Sequence, residues 1–291
     1  MNPDRGFYIL IIVKDDLKTV MKGFLMGVAD VVPGVSGGTI AFITGIYEQW
    51  VESIKAITSP AALKLIATFR WREAARTLPW RFLTALGFGI IVAIFSLANV
   101  MTWLLANHPE PVWSLFFGLV LASVLIISRH VPAWTLSMVA GAAVCAVFAW
   151  ALTGLVPVET PQTWWFQLFS GAVAICAMIL PGISGAFVLV LLGQYGPIME
   201  AVSNREMGTV FVVGAGCLIG ISTFARVVTY LFRRNHDLTI ACLIGLMLGS
   251  LRKIWPWKEI RETIVDRHGE VVPLYETNVL PQVFDGGVAL A

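Results

Sequence analysis

The sequence predicts an all-α polytopic membrane protein built from two inverted-topology repeats, each with a re-entrant helical hairpin carrying P-G-x-S-G. Three observations predict it. The 291 residues are 57% hydrophobic and 13% charged, with a mean hydropathy of +0.80, whereas a soluble domain averages about 45–50% apolar and about 25% charged residues. The apolar residues gather in segments of membrane-spanning size, with tryptophans such as Trp50, Trp80, Trp103, Trp134, Trp164 and Trp255 near the segment ends, as in an interfacial aromatic belt. A glycine-rich motif, PGVSGG at 33–38, returns as PGISGA at 181–186.

Residues 1–22 contain the short run FYILIIV, followed by Lys14, Asp15, Asp16 and Lys18. A secretory signal has its positive charge first and a small-residue cleavage site after. The stretch reads instead as an N-terminal helix lying on the membrane surface. Segment 24–46 is apolar, yet its stretch 29–46 holds Asp30, Pro33 and four glycines, Gly34, Gly37, Gly38 and Gly45. Lys14, Lys18 and Lys22 precede it, and Lys55, Lys64, Arg70, Arg72, Arg76 and Arg81 follow it. The positive-inside rule puts both flanks in the cytoplasm, together with the N-terminus. A single crossing would export one flank, so 24–46 is read as a re-entrant hairpin with Pro33, Gly34, Gly37 and Gly38 at its tip. Such backbone is tolerated at membrane depth where protein or a water-filled cavity satisfies it.

Membrane helices follow at 82–106, 111–128 and 131–157. A span needs about 20 residues; 82–106, 131–157 and 209–232 meet this comfortably, while 111–128 and 238–251 are short. The loop TGLVPVETPQT has Glu159 and no Lys or Arg, as suits the outside. Segment 164–193 is the second hairpin, 209–232 returns inward to RRNH, 238–251 goes out again, and a last helix begins near 286, within which the sequence ends. The stretch 252–285 holds Arg252, Lys253, Lys258, Arg261 and Arg267, which fits an outside loop poorly, so its side stays open.

Two copies are legible. At the offset that carries Pro33 to Pro181, Gly34 meets Gly182, Ser36 meets Ser184, Gly37 meets Gly185, Gly45 meets Gly193, Tyr47 meets Tyr195 and Glu52 meets Glu200. Downstream, GLVLAS at 118–123 resembles GLMLGS at 245–250. Repeat 1 is thus 23–157 and repeat 2 is 164–291, the second lacking the counterpart of 131–157. The first copy starts inside and the second outside, the arrangement of many transporters whose broken helices meet near the midplane. Tight helix packing through small residues is the alternative reading of the glycines.

The motif is no nucleotide-binding P-loop, because no Lys follows its glycines. A turn between half-helices still offers free backbone N–H groups. With Ser36, Gly37, Gly38, Thr39, Ser184 and Gly185 it makes a cradle for an anion such as phosphate. Arg226, inside ISTFARVVTYLF, is a candidate bidentate phosphate ligand; its alternative is an arginine reaching to the interface. Asp30 and Glu48 flank the first motif and face Met178 and Gly196 in the second, an asymmetry that suits a cation- or proton-coupling role as well as a capping one. The four cysteines lie in apolar runs as small buried hydrophobes, and the four histidines lack metal-ligand spacing.

The stretches GVADVVPGVSGGTIAFITGIYE, LPGISGAFVLVLLGQYGPIMEAV and GLMLGSLRKIWPW resemble the bacterial polyprenyl-phosphate transporter family over nearly the whole chain. The resemblance implies a non-enzymatic flippase that recycles undecaprenyl phosphate across the cytoplasmic (inner) membrane for cell-wall synthesis. It implies inverted repeats with re-entrant hairpins, and as partners the lipid and the membrane rather than nucleic acid, with a homo-oligomer left open. No cofactor or metal is expected beyond a coupling proton or sodium ion. The alternative is an intramembrane undecaprenyl-pyrophosphate phosphatase, which needs an activated nucleophile with a base and a cationic clamp; neither Ser36 nor Ser184 has an adjacent His or Arg in its motif. A channel or scaffold would need no phosphate cradle.

Overall fold

The computed structural model describes residues 3–32, 34–131, 133–158, 160–265 and 271–280, and most of these are helical. The first half runs α1 (Pro3–Val31), α2 (Gly37–Ile43), α3 (Tyr47–Ile57), α4 (Pro60–Ala67), α5 (Trp71–Thr77), α6 (Trp80–Asn107), α7 (Pro109–His130) and α8 (Leu136–Leu152). The second runs α9 (Trp164–Ile179), α10 (Gly185–Leu191), α11 (Tyr195–Ser203), α12 (Met207–Arg234) and α13 (His236–Ser250), then the strands β1 (Lys258–Val265) and β2 (Val271–Asn278). One sequence of elements recurs: a long helix, a break, a helix of 7 residues, a tight turn, a short helix, and later a helix of 28 residues. The breaks match in conformation too. Gly34 and Gly182 have φ of 88° and 89°, and Gly45 and Gly193 have 70° and 61°. Only glycine adopts such angles without steric cost, so glycine is the residue that suits all four positions.

In each copy the chain doubles back at the first break. Lys22, on α1, donates from Nζ to the Thr44 carbonyl at the end of α2 at 2.8 Å, while Gly37 at the start of α2 lies beside Asp30 at the end of α1. Helix α2 therefore runs antiparallel to α1. Likewise, Gly185 at the start of α10 lies against Ala174 and Met178 of α9, and Leu191 at its end accepts from the Val158 N–H ahead of α9 at 3.1 Å. The bend between α10 and α11 is 109°.

Glycine seams hold the long helices together. A Cβ on Gly23 would lie 2.2 Å from the Leu86 carbonyl oxygen, and one on Gly89 would lie 2.1 Å from that of Val20. Residue numbers rise together along this contact, from Asp16–Arg81 to Gly27–Ile90, so α1 and α6 are parallel. The α9–α12 pair repeats the device through Gly171, Gly216 and Gly220, and α8–α13 through Gly245 and Gly249. Small residues let backbones approach where lipid offers no hydrophobic drive. The cysteines lie half-buried and free on these seams; Cys217 Sγ donates to the Gly171 carbonyl at 3.4 Å. Gly89→Leu and Gly216→Leu should each destabilise the protein by about 1–3 kcal/mol or more, since the blocking atoms are backbone and cannot swing away. Thermal inactivation in detergent checks this; Gly118→Leu, where nothing lies within 4 Å, is the control that should leave stability unchanged.

Several expectations need correction. The helix read as ending at 22 continues unbroken to Val31, because Gly23 and Gly27 serve the seam with α6 instead of interrupting the helix. Segment 111–128 is not short: α7 gains Pro109 at its first turn and reaches His130, giving 22 residues. Segment 131–157 shrinks to the 17 residues of α8, capped by Thr135 and ended at Thr153. Among the described residues, three helices, α6, α7 and α12, are long and apolar enough to span a membrane, and the bent pair α10–α11 would make a fourth if it is one span. The all-α expectation fails at 258–278, where β1 and β2 pair antiparallel with Lys258 opposite Asn278 and Val265 opposite Val271. Branched and aromatic residues such as Ile260, Thr263, Val272 and Tyr275 favour strand there. Trp255 anchors this hairpin, donating from Nε1 to the Val279 carbonyl at 2.8 Å. Pro33, Glu159 and the helix expected from 286 lie outside the described residues.

Candidate functional site where the two hairpin tips meet

The two glycine-rich tips touch. Ser36 Oγ donates to the Met178 carbonyl at 3.1 Å, and the Gly182 N–H donates to Thr39 Oγ1 at 2.8 Å. Each tip thus uses a hydroxyl or an amide of its motif to satisfy the other. Local chemistry prepares them. Ser36 caps α2 in an extended conformation, its Oγ accepting from the Gly38 N–H at 3.1 Å. The Gly37 N–H donates to Asp30 Oδ1 at 2.7 Å. Gly37 and Gly38 are required by space: a Cβ on the first would sit 2.5 Å from Asp30 Oδ2, and one on the second 2.7 Å from the Ile179 carbonyl oxygen.

The second tip is less closed. Ser184 precedes α10 without capping it, and its hydroxyl has no hydrogen-bond partner among the described residues. Gly185 packs on the Ala174 carbonyl oxygen at the position where Gly37 packs on Asp30. Pro181, Gly182 and Ile183 are buried, with Gly182 against Ser250 and Met247 of α13. A cation stands close by. The Lys253 stem lies against Gly34, and its ammonium is 5.0 Å from the centroid of the Phe187 ring, just beyond the second motif. Sequence reasoning missed Lys253, because nothing in SLRKIW distinguishes it from Arg252, which instead stacks on Trp150 with its carbon centre 4.3 Å from that ring's centroid.

Ser36, Gly37, Gly38, Thr39, Ser184 and Gly185 are therefore brought together, with Asp30. Arg226 is not placed with them. Its guanidinium donates to the Thr58 carbonyl at 2.7 Å and to the Ser222 carbonyl, tying α12 to the end of α3. A carbonyl at the end of α3 and one on its own helix hold it, and the first of these its position in the sequence could not reveal. Glu48 also lies elsewhere, exposed on α3, with Oε1 3.0 Å from His236 Nε2 at the head of α13.

These last contacts form a second cluster that sequence reasoning overlooked. Helix α3 of the first copy lies across α12 of the second. Arg233 pairs with Glu52 at 3.5 Å beside the Glu48–His236 contact, and Tyr47 is buried against Phe232 with ring centroids 6.0 Å apart. The equivalent α11 stays on α12 of its own copy. Equivalent positions differ accordingly: Tyr47 is 2% exposed and Tyr195 41%, and Val51 and Ile54 are buried where Met199 and Val202 are exposed.

A polyprenyl-phosphate transporter of Vibrio cholerae is 46% identical over 269 residues, covering 92% of this chain and 87% of that protein. A polyprenyl-phosphate transporter of Staphylococcus aureus is 33% identical over 255 residues, covering 81% and 85%. No solved structure matches. The family model described as VCA0040-like, undecaprenyl phosphate translocase-like matches residues 26–272, and the chain belongs to that family.

Proposed function

We propose that this protein moves undecaprenyl phosphate from the outer to the inner leaflet of the bacterial cytoplasmic membrane, returning the carrier lipid for cell-wall synthesis, by alternating access around the joined tips. A charged head group does not cross hydrocarbon unaided. The protein need shelter only that group while the prenyl tail stays in lipid. Ser36, Gly37, Gly38, Thr39, Ser184 and Gly185 supply hydroxyls and amides, and Lys253 supplies the positive charge that had been sought in Arg226. The relatives' names support the cargo; the tips support the place.

Opposed repeats are supported by the helix pairings. Helix α6 begins where Arg81 meets Asp16, on the side where Lys22 meets Thr44, and α12 finishes on that same side at Glu52–Arg233. Because α1 runs with α6 and α9 with α12, the copies point opposite ways. Lys55, Lys64, Arg70, Arg72 and Arg76 crowd this end, which we read as cytoplasmic.

One observation carries alternating access: the same structural positions are buried in one copy and exposed in the other. Helix α3 seals the cytoplasmic end, and α11 leaves the opposite end unsealed. Exchange of the two arrangements between the copies would open the first end and close the second, which is the rocking expected of inverted repeats.

The test is reconstitution in vesicles with undecaprenyl phosphate placed in one leaflet. Time-dependent appearance of the phosphate in the other leaflet is expected, and Gly37→Leu or Gly185→Leu should abolish it. Release of inorganic phosphate from undecaprenyl pyrophosphate without leaflet exchange would establish the phosphatase reading instead.

A further inference from the structure

We infer that Asp30 is the proton-binding group of the tip: it takes up a proton when the phosphate head group enters and loses it on release, so that lipid and proton move together. The inference rests on the phosphate reading above. Its ground is a comparison the molecule makes with itself. Asp30 and Met178 occupy equivalent places, each beside the first glycine of the returning helix. A Cβ on Gly37 would strike the Asp30 carboxylate, and one on Gly185 would lie 3.3 Å from the Met178 Cβ. The reversal is built in the second copy with a thioether and no charge. The hairpin as such therefore does not require a carboxylate, and its presence in the first copy calls for another reason.

The surroundings point to a proton. Asp30 has one hydrogen bond, from the Gly37 N–H, and no ion pair among the described residues. A metal cation would need several oxygen ligands, whereas the neighbour here is an N–H donor, whose positive end repels a cation. Charged groups around Asp30 are few. On α1, Lys22 is committed to the Thr44 carbonyl more than two turns away, and on α6, Arg81 is held by Asp16 farther still. Helix α2 has no titratable residue, and α9 offers Cys176, bonded to the Gly220 carbonyl. Lys253 reaches Gly34 from the other side. An ionised Asp30 thus sits at the tip where a phosphate must come, and like charges at short range repel strongly in a low dielectric. Protonation removes that repulsion. A carboxyl group without a cationic partner inside a membrane hairpin belongs to the class that relays protons.

The test measures binding of farnesyl phosphate to the purified full chain by calorimetry across pH, in buffers of different ionisation enthalpy. Wild-type affinity should fall with rising pH, by up to about tenfold per unit, the limit for one linked proton. Asp30→Asn keeps the acceptor for Gly37 N–H and removes the charge; Asp30→Met installs the residue used by the second copy. Both should bind at high pH as tightly as the wild type does at low pH, and both should take up about one proton fewer on binding. The phosphate's own second ionisation is common to all three proteins, so it cancels in the difference. Variants that bind with the wild-type pH profile and proton count would overturn this inference alone. Failure of the wild type to bind at any pH would overturn the phosphate reading and this inference with it.

Discussion

Joining α3 to α12 should stop transport. Glu52→Cys with Arg233→Cys, made where the four native cysteines are alanine, places two thiols on either side of the cytoplasmic seal. The pair they replace is an ion pair at 3.5 Å with both side chains more than half exposed. Such a pair contributes about 0–1 kcal/mol, so the unlinked double variant should carry lipid at nearly the original rate. A short bis-thiosulfonate reagent that spans the two cysteines should reduce leaflet exchange to background, and reductant should restore it. The same reagent on Arg70→Cys with Glu73→Cys, which lie in one copy and already pair with each other, should leave transport intact. Full exchange by the linked protein would refute the idea that this end must open. The expected effect is large because α3 packs differently from its counterpart α11, buried at Tyr47 where α11 is exposed at Tyr195.

The second large effect concerns the left-handed glycines. Gly34 and Gly182 share a φ near +88°, which costs roughly 1–2 kcal/mol for any residue with a Cβ. Their surroundings differ. The Cβ of an alanine at 34 would meet the Lys253 Cγ at 3.0 Å, so that a displacement of a few tenths of an ångström in that side-chain stem relieves it; at 182 it would lie 2.6 Å from Ser250 Oγ and 3.1 Å from the Met247 Cα. Gly182→Ala also disturbs the amide that donates to Thr39. An orphaned buried donor costs about 1–3 kcal/mol. Gly182→Ala should therefore lower the melting temperature markedly and abolish lipid transport, while Gly34→Ala should remain foldable with reduced transport. Fluorescence-detected chromatography after heating, run beside the vesicle assay, gives both quantities. Equal damage at the two positions would mean that the backbone angle matters and the contact with α13 does not.

Both experiments use features that the sequence already carried and features that it hid. The breaks, the glycines of positive φ and the internal duplication are local matters. A proline or glycine inside an apolar run has few structural uses, and finding it twice at one offset leaves fewer. The meeting of the tips is seen in the Ser36–Met178 and Gly182–Thr39 hydrogen bonds. Partners at long range were not legible. Arg226 looked like a ligand because it is a cation in an apolar helix, but in the structure its guanidinium donates to the Thr58 carbonyl at the end of α3, away from the tips. Lys253 looked like an ordinary loop residue until the chain after α13 brought it beside Gly34. Helix ends were misjudged for a related reason. Hydropathy counts apolar residues, whereas α7 is extended by Pro109 and by Arg129 and His130, none of which counts as apolar. The strand pair at 258–278 was obscured by its charges, which had been weighed only for their side of the membrane.

The α8–α13 seam has a consequence for biosynthesis. Helix α8 belongs to the first copy by chain order, yet its glycine-lined partner is the last described helix. A ribosome adds about 5–20 residues per second, so α8 enters the membrane several seconds before α13 exists. During that interval its seam face is covered by lipid or by the insertion machinery. Helix α1 waits in the same way for α6. Neither copy can be finished before the other has begun, and the two are clasped from the moment the last helix docks. The late docking step, more than the emergence of any single helix, marks the moment at which the molecule first holds its two tips together.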